Sequence, residues 1–183
     1  MEIICKLLSE LDHKQKEVVK EQIKNIFFLS TSKTEFESSE HRELFFNKWC
    51  GDYLAFYESW VILALDVNSC QLLGYLTGCP DTLSSLERLR VPGIQTFVDL
   101  YERFPAHLHI NFHPDARGMG MGSILMSDFM KRLNDEAIQG VHLITSPDAK
   151  NVSFYDKLLF STTQERMYNG YSLFFMGRQL VDT

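Results

Sequence analysis

The chain has 183 residues, 45% of them hydrophobic and 23% charged, with a formal net charge of −6, the size and balance of one soluble globular domain with a sizeable core. No apolar run reaches the ~20 residues of a membrane helix, and the acidic balance argues against nucleic acid as the main partner, because phosphate binding rests on clustered Lys and Arg. Cys5, Cys50, Cys70 and Cys79 are scattered, without a C-x-x-C pair or a zinc-like grouping, which predicts reduced thiols serving as small core hydrophobes in a cytoplasmic protein.

The segment "MEIICKLLSELDHK" holds Glu2 and Lys6 inside its apolar part and has no small-residue cleavage site, unlike a signal peptide. In "KQKEVVKEQIKNIFFLS" (14–30), Val18, Ile23, Ile26 and Phe27 recur near helical spacing and predict an amphipathic helix. A second helix is expected in 38–49, with Ser39 as its N-cap ahead of Arg42 and Glu43. Residues 59–78 are two apolar, β-rich runs joined at Asn68 and Ser69, a hairpin whose first strand is apolar enough to be buried on both faces.

Residues 81–105 read as two short helices broken at Pro92–Gly93, and Pro105 ends that insert. A strand over 106–112 then turns at His113–Pro114–Asp115 into a helix from near Gly120, with Ile124, Leu125, Phe129 and Leu133 on one face. "VHLITS" is a strand, "NVSFYDKLL" a short helix, and "FSTTQERMYNGYSLFFMG" a hairpin turning at Asn169–Gly170, where both residues accept positive φ. With no repeat or linker, the expectation is one domain over 1–183, an α/β fold with a mixed sheet.

A strand, a glycine-rich turn and a helix in succession leave the first helical N–H groups unpaired and aimed, with the helix dipole, at an incoming anion. Gly118, Gly120 and Gly122 would let the backbone approach phosphate oxygens closely. No Gly-Lys-Ser/Thr follows and G-x-G-x-x-G is absent, so the turn is neither a Walker loop nor a dinucleotide fingerprint. The stretch Arg117-Gly118-Met119-Gly120-Met121-Gly122 fits R/Q-x-x-G-x-G/A and resembles the coenzyme A signature of the GNAT superfamily of N-acyltransferases. The element order over 14–176, the strand ending in His-Pro, the "FYDKLLF" segment and the terminal hairpin resemble that superfamily too. Pro105-Ala106-His107-Leu108-His109-Ile110 is similar to the "PAHLHI" of bacterial members related to the acetyltransferase-like domain of O-GlcNAc hydrolases. Asn111 stands where many relatives have Asp, Arg117 where Gln is more frequent, and Leu159 where Gly is usual.

The resemblance implies the GNAT fold, a mixed and mostly antiparallel sheet flanked by helices with a C-terminal β-hairpin. It also implies transfer of the acetyl group of acetyl-CoA to a primary amine, by direct attack in a ternary complex. The N–H groups of Phe112 and His113 would hold the pantetheine arm. Those of Gly118, Met119, Gly120, Met121, Gly122 and Ser123 would bind the pyrophosphate, with Arg117 adding charge at the rim. The thioester would lie between the 106–112 strand and "VHLIT". Tyr155 matches the proton donor to the coenzyme A sulfur; the alternative is a core aromatic like Phe154. Asn151, four residues before Tyr155, or Asp148, seven before it, would contact the pantetheine. Met119, Met121, Met126 and Met130 otherwise read as adaptable core packing.

His107, His109 and Asn111 alternate onto one face of their strand, and either imidazole could accept the amine proton; the alternative is a buried, hydrogen-bonded histidine. With His113 the pair invites a metal reading, but only Asp115 stands nearby to complete a ligand set, and the fold that the resemblance implies does not ordinarily use a metal. The expectation is therefore no metal.

Acceptor contacts would come from 30–42, 49–60 and 80–104. Their Glu35, Glu37, Glu40, Asp52 and Glu58, with Tyr53, Phe56 and Tyr57, would suit a cationic small-molecule or peptide amine, or form a solvated acidic surface. Two other classes stay open: a coenzyme A-binding domain without catalysis, with an interaction or sensing role, and a transferase acting on aminoacyl-tRNA, which the acidic balance disfavours. The last strands could form a homodimer or finish the sheet within one chain.

Overall fold

The computed structural model describes residues 2–180. Its strands are β1 (Ile3–Leu7), β2 (Val61–Asp66), β3 (Leu72–Cys79), β4 (Ala106–Phe112), β5 (Gly140–Thr145), β6 (Thr162–Tyr168) and β7 (Tyr171–Gln179). They form one mixed sheet in the order β1-β2-β3-β4-β5-β7-β6. β1 with β2, β2 with β3, β5 with β7 and β6 with β7 pair antiparallel. β4 and β5 pair in parallel, Ala106 with Val141 and His107 with His142. The flanking helices are α1 (His13–Ser30), α2 (Ser39–Phe46), α3 (Asp52–Phe56), α4 (Thr82–Ser85), α5 (Met121–Asp135) and α6 (Val152–Lys157). This is the α/β architecture with a C-terminal hairpin expected from the sequence. Among the described residues no helix is long and apolar enough to cross a membrane. The chain divides into two compact units, Met1–Gly78 with His109–Lys131 and Cys79–Leu108 with Arg132–Thr183.

In the first unit, α1 opens on a reciprocal cap: Asp12 accepts from the Gln15 N–H, and the Gln15 side chain accepts from the Asp12 N–H. Its buried stripe is Val19, Ile23, Ile26 and Phe27, the i, i+4, i+7, i+8 spacing of one helix face. Val18, assigned to that face from the sequence, is 59% exposed; the contiguous valines differ by about 100° around the helix, and Val19 takes the core side. α2 is capped by the Ser38 hydroxyl on the His41 N–H, one residue before the expected Ser39. A π-helical turn, Asn47–Gly51, leads into α3. These helices cover β2, fully buried but for Asp66, and β3, buried throughout. The expected hairpin turn is built on Asp66, whose carboxylate accepts from the Asn68 N–H and the Ser69 hydroxyl. β1 is a strand that sequence reading did not anticipate. α5 buries Met121, Leu125, Met126, Phe129, Met130 and Leu133, whereas Ile124, expected on that face, is 44% exposed.

In the second unit, the 81–105 insert forms α4 and a 3-10 segment, Ile94–Leu100, entered through Gly93 at φ 79°. Tyr101, His142 and Phe175 stack in the core, His142 lying 4.6 Å from Tyr101 and 5.0 Å from Phe175 between ring centroids. β6 and β7 turn at Asn169 and Gly170, with φ of 49° and 82°. Arg166 of β6 clamps Asp99 with both terminal nitrogens, at 2.5 and 2.7 Å. The four cysteines are free thiols; Cys50 and Cys79 are buried, while Cys70 is exposed.

Candidate functional site

In the first unit the end of β4 is fixed before the glycine turn begins. Phe112 lies against Gly74 of β3, where an added Cβ would meet the ring at 2.1 Å. The His113 N–H donates to the Leu73 carbonyl at 2.9 Å. That bond corrects one expectation: the His113 amide belongs to the β-ladder and is not an open donor for a ligand. Whether a strand-end amide is paired depends on its neighbour's register, which the local sequence does not carry. The Ser30 hydroxyl, at the last residue of α1, donates to the Phe112 carbonyl at 3.3 Å and accepts from Arg117 at 3.2 Å. The guanidinium is thereby held at the C-terminal end of α1, where a helix favours a cation.

A single 3-10 turn, Pro114–Ala116, carries the chain to Arg117. Gly118 and Gly120 both sit at φ 78°, with nothing within 4 Å of where a Cβ would stand. The glycines serve backbone conformation, and the space beside them is open. α5 starts at Met121, and the Ser123 N–H turns back to the Gly120 carbonyl at 3.1 Å. The leading N–H groups of a fifteen-residue helix face this exposed turn, an arrangement that attracts an anion. Met121 is buried whereas Met119 is 51% exposed, so the packing role fits the first and not the second. A separate cavity of about 250 Å³, lined by Gln22, Asn25, Ile26, Gln71, Leu72 and His113, falls below the ~300 Å³ at which ordinary ligand pockets begin.

His109 and Asn111 share one face of β4. His109 Nε2 is 3.1 Å from the Tyr53 hydroxyl, and the Trp49 ring stands 6.2 Å away edge-on. Burial pushes this imidazole down to about 4, so it is neutral at physiological pH. Asn111 Nδ2 donates to the Tyr75 hydroxyl at 3.2 Å, and Cys50 Sγ donates to the same oxygen at 3.6 Å. Burial pushes the Cys50 thiol up to about 12 and the Tyr75 phenol well above its ordinary value. An aromatic lane, Phe28–Phe36–Phe45–Trp49, runs to His109 with centroid spacings of 5.4 to 6.3 Å. Lys33 and Arg42 lie over its rings. Of the carboxylates in this region, Glu58 pairs with Lys16 at 3.0 Å, and an exposed Glu37 oxygen lies 3.6 Å from His41 Nδ1.

In the second unit His107, 3% exposed, has Nδ1 2.7 Å from the Thr82 hydroxyl and packs 5.6 Å from His142. This is the buried, hydrogen-bonded strand histidine of the alternative reading. Tyr155 is buried against Phe154 and Phe160, at 5.1 and 5.6 Å, and burial raises its phenol so that it stays protonated. Asn151 accepts from the Thr145 hydroxyl at 3.5 Å. The Asp148 carboxyl, hydrogen-bonded by the Ser146 hydroxyl, is held below its ordinary value and accepts only. His113 Nδ1 accepts from the Asp115 N–H at 3.4 Å. Among the described residues no three His, Cys, Asp or Glu side chains converge on a metal-sized point. Tyr75 is the site residue that sequence reasoning did not name; Ser30 and Tyr53 fall in segments expected to line the acceptor, but no motif carries their bonds to Phe112, Arg117 and His109.

No protein-family model and no curated protein matches the chain. Solved structures do share its fold. SsHAT is 20% identical over 98% of both chains, with a TM-score of 0.72. A GNAT superfamily phosphinothricin acetyltransferase from Sinorhizobium meliloti, solved in complex with AcCoA, is 16% identical, covering 98% of this chain and 89% of its own at a TM-score of 0.57. A chain of the NatC complex bound to Gag peptide and CoA is 16% identical, covering 99% of this chain and all of its own at 0.60. At such identities the likeness is one of architecture, the fold shared with that GNAT superfamily acetyltransferase.

Proposed function

We propose that the chain is a GNAT N-acetyltransferase, acting as one domain, that moves the acetyl group of acetyl-CoA to a primary amine by direct attack in a ternary complex. The observation that carries this reading is the turn at Gly118 and Gly120, open on the side where a Cβ would stand and leading into the N-terminus of α5. The N–H groups of Gly118 through Gly122 bind the pyrophosphate, the Ser123 N–H being committed to the Gly120 carbonyl, and Arg117, tethered by Ser30, adds charge at the rim. The Phe112 N–H and either Asn151 or Asp148 contact the pantetheine. Coenzyme A carriage by the two neighbours solved with AcCoA or CoA supports the ligand class.

Acetyl-CoA supplies the activated acyl group: the bond from amine nitrogen to acyl carbon forms, the carbon–sulfur bond breaks, the amine loses a proton and the thiolate takes one. Tyr155 holds its proton through the physiological range, gives it to the sulfur as the carbon–sulfur bond breaks and regains one from water, which takes the amine proton. His109, depressed to about 4, is too weak a base to take the amine proton efficiently near pH 7. The proton passes to water, and His109 contributes a neutral hydrogen bond. The aromatic lane of the 30–60 region favours an acceptor amine, small molecule or peptide, that packs on rings. The "PAHLHI" segment supports membership of that bacterial subgroup, and the free cysteines suit the cytoplasm.

A thermal-shift titration with acetyl-CoA, coenzyme A and pantetheine tests the reading. Stabilisation by both full cofactors and not by the fragment is expected; no shift at millimolar acetyl-CoA overturns it. Binding without thiol release across an amine panel would leave the non-catalytic coenzyme A-binding role. In the active enzyme Tyr155→Phe keeps the Phe154 and Phe160 contacts and lowers kcat by about 10²-fold, with KM for acetyl-CoA little changed, as measured by thiol release.

A further inference from the structure

Two enclosed tyrosines direct their hydroxyls at side chains of β4. Tyr53, from α3, reaches His109 and Tyr75, from β3, reaches Asn111; both are 0% exposed. Burying a hydroxyl is unfavourable unless it is hydrogen-bonded, so phenylalanine would serve ring packing alone better at either position. We propose that Tyr53 and Tyr75 are positioning residues that hold His109 and Asn111 as one preset pair on β4, with Tyr53 selecting the His109 tautomer. The proposal rests on the acyl-transfer reading only for its catalytic consequence.

The two anchors arrive from different elements and meet residues two apart on one strand face, so neither side chain can rotate without breaking a partly buried bond. The Tyr75 oxygen receives both the Cys50 thiol and the Asn111 amide nitrogen. The Asn111 carbonyl oxygen is therefore turned away from Tyr75 and left to accept elsewhere. At the other pair, a phenol is a strong donor and a neutral imidazole nitrogen a strong acceptor. Tyr53 donates to Nε2 and the ring proton resides on Nδ1. With its Nε2 lone pair engaged, His109 acts as an oriented N–H donor and not as a base.

Nitrogen-15 NMR of the imidazoles in the full chain reads this without acyl donor or acceptor, the His109 signals being assigned by their loss in His109→Gln. The wild type should show the neutral Nδ1–H form of His109 between pH 6 and 8. Tyr53→Phe should move the His109 Nε2 resonance and raise its titration midpoint by about one pH unit, leaving the other histidines in place. Tyr75→Phe should shift the Asn111 side-chain amide signals and lower kcat about tenfold, with KM for acetyl-CoA unchanged. An Nε2–H tautomer in the wild type, or unaltered His109 and Asn111 signals in the folded variants, overturns the proposal. The expected signatures in a protein that acetylates no amine would sink the acyl-transfer reading and leave the positioning intact.

Discussion

Gly120→Asp should weaken coenzyme A binding about 100-fold while the chain stays folded. The backbone at this position has φ 78°, and aspartate is among the L-residues that tolerate the left-handed region best. Nothing lies within 4 Å of the new Cβ, and a carboxylate at the first turn of a helix is favourable. Folding therefore costs about 1 kcal/mol or less. The ligand meets a different situation, since the carboxylate stands where the pyrophosphate charge would lie. Two like charges about 4 Å apart repel by roughly 1 kcal/mol in water and roughly 4 kcal/mol in the surface dielectric of a protein. Between those limits lies the hundredfold loss. Gly120→Asn makes the same backbone demand without the charge and should keep most of the affinity. Calorimetric titration of coenzyme A into the three proteins decides: full affinity in the aspartate variant removes the turn as the phosphate site, and equal loss in both variants assigns the effect to backbone strain.

That turn was legible in the sequence because its chemistry is local. A left-handed backbone favours glycine and asparagine, so Asn169–Gly170 announced its turn, and the glycines at 118 and 120 marked an open one, without help from the rest of the chain; Cys70, Ala137 and Leu159 take positive φ with no such signal. The β4 boundaries were legible for a similar reason, with Pro105 before the strand and Pro114 after it. β1 was not. Ile3, Ile4, Cys5 and Leu7 show no clean alternation, and their strand conformation comes from pairing with β2 some sixty residues away. Helix faces were read to within one position, which was enough to predict α1 and α5 but misassigned Val18 and Ile124. The polar fixtures of the site were illegible. Tyr53 and His109 are 56 residues apart, Tyr75 and Asn111 36 apart, and Ser30 and Arg117 87 apart. A tyrosine in an apolar run reads as core, and only the fold reveals where its hydroxyl goes.

Gly74→Ala should destabilise the protein by about 3 kcal/mol, at the upper end of ordinary overpacking. The added methyl would stand 2.1 Å from Phe112 Cδ1 and 2.9 Å from the Asn111 carbonyl oxygen. A ring can turn aside, but the carbonyl is backbone, so β3 and the end of β4 must separate locally. For a chain of this size each kcal/mol moves the melting temperature by roughly 2–4 °C, giving a drop of roughly 6–12 °C by calorimetry. Phe112→Leu in the same background should recover part of the loss, the two substitutions coupling by about 1 kcal/mol or more. Recovery stays incomplete because the Asn111 carbonyl does not move with the ring. The functional effect follows from the same geometry: Phe112 and Asn111 lead directly into the glycine turn, and the His113 amide beside them is pinned to Leu73, the residue preceding Gly74. An alanine at 74 should therefore weaken coenzyme A binding even under conditions where the variant is fully folded, whereas a melting temperature within about 2 °C of the wild type would mean that β3 does not hold the end of β4 in place.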